Sequence, residues 1–294
     1  MFPGFALERV RVDDVELRVR YGGSGPPVLL LHGHPRTHTT WHRVAPILAQ
    51  QHTVVCPDLR GYGESSTPPD EPGHLQASKR AMARDAIGLM RTLGHDRFAV
   101  VGHDRGAYVA LRTAMDYPES VTQLVVLDAI PIGEALARTN AAFAQAWWHW
   151  FFFGQPDKPE RAILADPESW YRNDPDLMGL DNYNDYRRAI HDPATVHAML
   201  EDYRAGLGPD RAADEADMAG GRTLACPTMV LWASRDDLGR LYGNPLEIWG
   251  AWARDLRGQA VESGHHMAED IPEELAARIS EFLASSDARS HGSP

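Results

Sequence analysis

Gly102-His103-Asp104-Arg105-Gly106 limits the fold of this chain more than any other stretch. The apolar run Phe98-Ala99-Val100-Val101 leads into it, and a helical pattern from Ala107 to Met115 follows. A Gly-x-nucleophile-x-Gly turn between strand and helix is a nucleophile elbow, a sharp corner that lifts its central side chain clear of the sheet. Glycine is required on either side because the corner draws neighbouring backbone too close for side chains. Aspartate at the tip selects the chemistry. Its attack on a carbonyl would give an unproductive anhydride, whereas attack on a saturated carbon gives an ester that water can cleave. The corner therefore points to displacement at a carbon–halogen bond or an epoxide. Ordinary serine esterase chemistry is disfavoured, since no serine occupies the elbow.

Short apolar runs recur on both sides of this corner. Val28–His32, Thr53–Cys56, Phe98–Gly102, Gln123–Asp128 and Thr228–Trp232 read as buried strands, with Gln259–Glu262 a weaker sixth. Helical segments such as Ser78–Leu93 separate several of them. The alternation predicts an α/β fold with a mostly parallel, doubly wound sheet and helices on both faces. Val10–Tyr21 alternates apolar and polar residues and reads as an antiparallel lead-in hairpin. After Pro131 the alternation stops. Residues 132–212 are helical in pattern, rich in aromatics and broken by Asp-Pro pairs at 166–167, 174–175 and 192–193. Strand character returns at Cys226-Pro227. The expected organisation is a core of residues 1–131 and 213–294, with 132–212 inserted as a helical cap over a cleft.

The chain has 294 residues and 43% apolar content, enough for a sizeable core, and a net charge of −12. No compact basic block offsets that charge, which argues against nucleic acid and anionic membranes as partners. An anionic substrate would need a local cationic clamp. Cys56 and Cys226 give no disulfide framework and read as buried, reduced thiols of a cytoplasmic protein. Met1-Phe2-Pro3-Gly4-Phe5 lacks the basic-then-apolar order of a signal peptide. The densest aromatic run, Trp147 to Phe153, is too short to cross a bilayer. Ala284 to Pro294 is small and polar, a tail expected to fray.

An aspartate nucleophile needs a base to activate water in the second step, and the base needs an orienting acid. His265, in Glu262-Ser263-Gly264-His265-His266, follows the last strand pattern and is the base candidate ahead of His266. Asp128 ends Val125-Val126-Leu127-Asp128 and is the preferred acid. Asp236, just past Leu231-Trp232-Ala233, is its rival. The order nucleophile, acid, histidine is that of the α/β hydrolases. Ester hydrolysis also develops an oxyanion that needs fixed donors. The backbone N–H groups of His34, in His32-Gly33-His34-Pro35, and of Arg105 are the candidates. The histidines lie scattered without a convincing ligand set, so neither metal nor organic cofactor is predicted.

At this point the sequence resembles haloacetate (fluoroacetate) dehalogenases of the α/β-hydrolase superfamily. The resemblance runs from Phe2-Pro3-Gly4-Phe5 almost to Ala284. It includes Leu31-His32-Gly33, Met82-Ala83, the elbow, Val126-Leu127-Asp128, His149-Trp150, Glu201-Asp202-Tyr203-Arg204-Ala205-Gly206 and Glu262-Ser263-Gly264-His265. The elbow is shared with epoxide hydrolases; the His-Trp pair is more specific. The resemblance implies Asp104 as nucleophile, His265 as base, Asp128 as its acid, and His149, Trp150 and Tyr203 as the halide pocket. Arg105 would hold the carboxylate of a halogenated acid substrate. The sequence departs from the family at Tyr108, where a second carboxylate-binding arginine is expected, and at His34, where phenylalanine is usual. The segment between Trp150 and Tyr203 also looks short, with no tryptophan assignable to the one that family members often carry there. The implied activity is hydrolytic dehalogenation of 2-haloacids, with weak binding or a larger or neutral substrate, and epoxide hydrolysis is the alternative. A homodimer is left open.

Overall fold

The computed structural model describes residues 1–171 and 173–290, the last five of these by their backbone alone. Eight strands form one sheet: β1 (Ala6–Val12), β2 (Val15–Gly23), β3 (Pro27–Leu31), β4 (Thr53–Pro57), β5 (Phe98–His103), β6 (Val121–Leu127), β7 (Thr228–Ala233) and β8 (Leu256–Val261). Their order is β1-β2-β4-β3-β5-β6-β7-β8. The lead-in hairpin pairs β1 with β2 antiparallel, and β2 lies antiparallel to β4. Every later pairing is parallel.

The central strands are buried on both faces, which is why they read as unbroken apolar runs rather than alternating ones. All six residues of β5 are buried. Successive residues still serve opposite faces. Phe98 and Val100 of β5, with Leu29 and Leu31 of β3, join one core, where they meet Met82 and Leu89 of α2 (Lys79–Thr92) and Val109 of α3 (Arg105–Asp116). Ala99 and Val101, with Val28 and Leu30, join the other, against Leu48 of α1 (Ala45–Leu48) and Leu275 and Ile279.

Between β6 and β7 the described residues contain helices and no named strand. These are α4 (Ile132–Ala137), α5 (Ala141–Ala146), α6 (Trp148–Phe153), α7 (Lys158–Ala165), α8 (Pro167–Tyr171), α9 (Pro175–Met178), α10 (Leu180–His191), α11 (Pro193–Ala205) and α12 (Arg211–Ala219). The three Asp-Pro pairs are starts of helices rather than mere breaks. Asp166, Asp174 and Asp192 each accept a backbone N–H of the following first turn, and proline opens that turn, where its missing N–H costs nothing. Residue 212 is not the end of the helical stretch. Helix α12 runs on to Ala219, tied to α3 by Arg112, which donates to Asp214 and Asp217 at 2.9 and 2.6 Å.

The chain ends with α13 (Asp237–Tyr242), α14 (Pro245–Trp249), β8, α15 (Met267–Asp270) and α16 (Pro272–Ser290). Helix α16 takes up the first part of the segment expected to fray; residues 291–294 of it lie outside the described residues. Cys56 and Cys226 are buried and unpaired with each other. No described helix is long and apolar enough to cross a membrane.

Candidate active site

Asp104 sits at the β5–α3 corner with φ +50° and ψ −118°. This backbone region costs a non-glycine residue about 1–3 kcal/mol, so the surroundings must impose it. They do so by close approach. A Cβ on Gly106 would lie 2.4 Å from the carbonyl oxygens of Leu31 and His32, and one on Gly102 would lie 2.3 Å from that of Gly106. With both glycines in place α3 packs onto the strand ends, and the Asp104 side chain projects into a cavity of about 390 Å³.

The two expected backbone donors meet this carboxylate. The His34 N–H donates to Asp104 Oδ1 at 2.7 Å, and the Arg105 N–H bonds the same group. Burial opposes ionisation of Asp104, but the nearby His265, His103 and Arg105, with the Arg105 N–H, outweigh it and hold the carboxyl below its ordinary value.

His265 follows β8 and presents Nε2 to Asp104 Oδ2 at 3.8 Å. Its other nitrogen meets both candidate acids: Nδ1 is 2.7 Å from Asp128 Oδ2 and 2.9 Å from Asp236 Oδ2. The contest between these carboxylates therefore ends with both on one atom. The sheet explains it. Strands β6 and β7 are parallel neighbours with Leu127 opposite Leu231, so the loops leaving them run side by side. Asp128, at φ +53°, is fixed further by the Ala233 N–H donating to Oδ1 at 3.0 Å. Burial works against charge on His265, but its contacts with the two aspartates and the charge of Asp104 raise it well above the ordinary histidine value. His266, the competing histidine, makes no contact with either acid; burial lowers it strongly, and its Nδ1 has no partner.

His149 and Trp150 of α6 and Tyr203 of α11 line the same cavity as Asp104, with Tyr108, His34 and His265. Burial lowers His149 to about 4, so its ring is neutral near pH 7 and has one N–H to donate. The cavity is also lined by Trp170 and Tyr171, which the sequence reading assigned no role. Trp170 lies between Trp150 and Tyr203 in the chain, in the stretch where the resemblance alone places no tryptophan. Only their place on the cavity wall marks these two half-buried residues out, and that place is not legible from spacing.

Arg105 occupies a different place from the one expected of a carboxylate clamp. It is 1% exposed and absent from the cavity lining. Nε and Nη2 donate to the Asp202 carboxylate at 3.2 and 2.7 Å, and Nη2 also to the Asp202 carbonyl at 2.9 Å. The guanidinium lies under the aromatic wall, 4.3 Å from the Tyr203 ring centre and 5.2 Å from that of Tyr108. Only Nη1 lacks a partner. Asp202 is itself a buried hub that also takes Tyr62 Oη at 2.6 Å and Lys79 Nζ. Its motif was visible in sequence, but its partners, as many as 140 residues away, were not.

Among the described residues, two donor clusters of metal-ligand type contain His265: Asp128–Asp236–His265 and His103–His265–His266. Key nitrogens are already engaged, His265 Nδ1 by a hydrogen bond to Asp128 and an ion-pair contact with Asp236, and His103 Nε2 by the His265 carbonyl at 2.8 Å. A third cluster, Asp70–His197–Glu201, is laced with ion pairs, Arg204 reaching Glu201 at 2.9 Å.

Comparison with known proteins agrees with this architecture. Residues 26–270 match the family described as alpha/beta hydrolase fold. Fluoroacetate dehalogenase of Burkholderia sp. is 42% identical, over 99% of this chain and 97% of that protein. Soluble epoxide hydrolase of Corynebacterium sp. (strain C12) is 31% identical, over 89% and 91%. A Pseudomonas aeruginosa structure described as a candidate epoxide hydrolase superposes with a TM-score of 0.92 at 44% identity, covering 98% of each chain.

Proposed function

The chain belongs to the α/β-hydrolase fold family and is a hydrolase related over nearly its whole length to a fluoroacetate dehalogenase; on that premise we propose that it hydrolyses the carbon–halogen bond of haloacetate-like 2-haloacids through an ester on Asp104. One observation carries the reading: Asp104, its histidine and three candidate halide donors open on a single cavity.

In the first step an Asp104 oxygen attacks the halogen-bearing carbon from the side opposite the halide. A C–O bond forms, the carbon–halogen bond breaks, and the halide leaves with the electron pair while the carbon inverts. A departing fluoride is strongly hydrated in water, so the site must replace that shell with hydrogen bonds. His149, the Trp150 indole N–H and the Tyr203 hydroxyl supply them. In the second step His265 Nε2 takes a proton from water, and the hydroxide adds to the Asp104 carboxyl carbon. The His34 and Arg105 N–H groups hold the resulting oxyanion. Collapse expels the 2-hydroxyacid, whose oxygen takes the proton back from His265, and the Asp104 carboxyl group left behind gives the proton of the added hydroxide to solvent and so returns to the carboxylate.

Carboxylate binding is the weak part of this site. Arg105 has one free guanidinium nitrogen, and Tyr108 offers at most a neutral hydrogen bond. The second reading, an epoxide hydrolase, draws on one specific observation. Tyr171 and Tyr203 both line the cavity and both set their rings edge-on to His34, at 5.3 and 5.1 Å. Burial raises both phenols well above their ordinary value, so they remain donors, and an opening epoxide needs a donor for its oxygen.

The test is halide release from fluoro-, chloro- and bromoacetate beside diol formation from a small neutral epoxide, with Asp104→Asn as control. Halide release that disappears in the variant supports the dehalogenase. Diol without halide selects the epoxide hydrolase, and neither product from the unaltered protein overturns both.

A further inference from the structure

We propose that His265 is served by two acids at once: Asp128 and Asp236 form one proton-sharing pair behind Nδ1, and either alone keeps Nε2 free to take a proton from water. The inference rests on the ester route above for its catalytic meaning, but its geometry stands independently of any substrate.

Nδ1 lies 2.7 Å from Asp128 Oδ2, which accepts its N–H, and 2.9 Å from Asp236 Oδ2, an ion-pair contact beside that bond. The two carboxyl groups converge on that one nitrogen, with their facing oxygens within 4.8 Å of each other. Two like charges in such contact do not both ionise. The pair therefore carries one negative charge, as a single triad acid would.

The surroundings say which member keeps the proton. The Asp128 side chain is fully buried, whereas that of Asp236 is 29% exposed. Burial pushes Asp128 up. Burial also opposes charge on Asp236, yet its contacts with His265 and Asp128 and the Asp237 N–H bring it below the ordinary value. The other groups facing His265 are Asp104 from the elbow, the rings of His103 and His266 at 4.7 and 5.1 Å, and His149 across the cavity. Burial lowers all three of these histidines, so the aspartates dominate the field at Nδ1.

The arrangement has a consequence that no single-acid triad shares. Asp128→Asn leaves Asp236 to orient the ring, and Asp236→Asn leaves Asp128, which then ionises. Only the double variant leaves Nδ1–H without an anionic acceptor.

The experiment is nitrogen and carbon NMR on the wild type, Asp128→Asn, Asp236→Asn and the double variant. The expected result is a downfield Nδ1–H resonance and a His265 pKa within about one unit of wild type in both single variants, and loss of both features in the double. In single turnover with bromoacetate, hydrolysis of the Asp104 ester should stay within about tenfold in the singles and fall on the order of 10³–10⁴-fold in the double. Collapse in Asp128→Asn alone, or in Asp236→Asn alone, overturns the pair and identifies the sole acid. Should Asp128→Asn not fold, the Asp128 carboxyl carbon still decides. It should titrate at lower pH once Asp236 is replaced, and an unmoved titration overturns the proposal. Failure of bromoacetate to form an ester in the wild type would instead count against the proposed reaction, leaving the NMR result to judge the acids.

Discussion

His265 faces three carboxylates, and the proposed reaction removes one of them. While Asp104 is ionised, 3.8 Å from Nε2, its charge helps hold a proton on the imidazole. Ester formation abolishes that charge, so the ring releases its proton more readily when a base is next required. The sign of the pH dependence follows. Asp104 is held below its ordinary carboxyl value of 3.8, so alkylation continues into acid. The base must be neutral, and the two aspartates facing Nδ1 still raise His265 in the ester, so ester hydrolysis should slow as the pH falls. Acid-quenched intact-mass measurements should find ester accumulating at pH 5 and little at pH 8.5; equal amounts would remove His265 as the base. Tyr108 supports a second residue-scale prediction. A second cation beside a substrate carboxylate adds about 1.5–3 kcal/mol, so Tyr108→Arg should lower the chloroacetate KM on the order of 10–100-fold. An unchanged KM would show that position 108 does not touch the carboxylate. The positions of the candidate nucleophile, base and acids are legible in sequence because each occupies a place fixed by the chain: an elbow, or the loop after a strand. The choice between Asp128 and Asp236 was not legible, since adjacent parallel strands deliver both loops to one ring. Nor was the capture of Arg105 by Asp202, which depends on how α3 and α11 come together across the fold.

The elbow is the element on which the site depends. Gly106→Ala would place a methyl group 2.4 Å from two backbone oxygens of the β3 end, where no rotamer change can relieve the clash. The helix must lift, and such overpacking costs about 1–3 kcal/mol. The variant should show that loss in urea unfolding together with loss of ester formation at Asp104, because the same shift moves the carboxylate away from the His34 N–H. Full alkylation at wild-type stability would mean that the corner is looser than its contacts indicate. Strands were read from sequence to within a residue or two where they are buried on both faces, as for β3 and β5. The last was read short, as Gln259–Glu262, because β8 begins at Leu256 with Leu-Arg-Gly, a half-exposed start that carries little apolar signal. The Asp-Pro pairs were seen correctly as punctuation, but sequence pattern alone did not distinguish the break before a helix from the helix start that follows it.

The whole molecule sets the conditions under which an anion can reach this site. The chain carries a net charge of −12, and Asp104, Asp128, Asp236 and Asp237 all line the cavity, while the guanidinium of Arg105 lies behind its wall. Sheet order brings this about: it could not be read from the sequence, yet it collects the loops after β3, β5, β6, β7 and β8 at one end of the sheet, where ligands of open α/β folds bind. A negatively charged substrate therefore approaches against the field of the protein, and a neutral one does not. Screening reaches to about 30 Å at 0.01 M salt and about 8 Å at 0.15 M. Raising salt across that range should increase kcat/KM for chloroacetate about two- to fivefold and leave that for a neutral epoxide unchanged. A chloroacetate rate that falls with salt would mean that an attractive cationic field outweighs the carboxylates, with the free Nη1 of Arg105 as its source. The slope thus separates two sites that share one nucleophile: an anion-binding site in which Arg105 acts through the aromatic wall, and a neutral-substrate site in which Asp202 keeps that charge out of play.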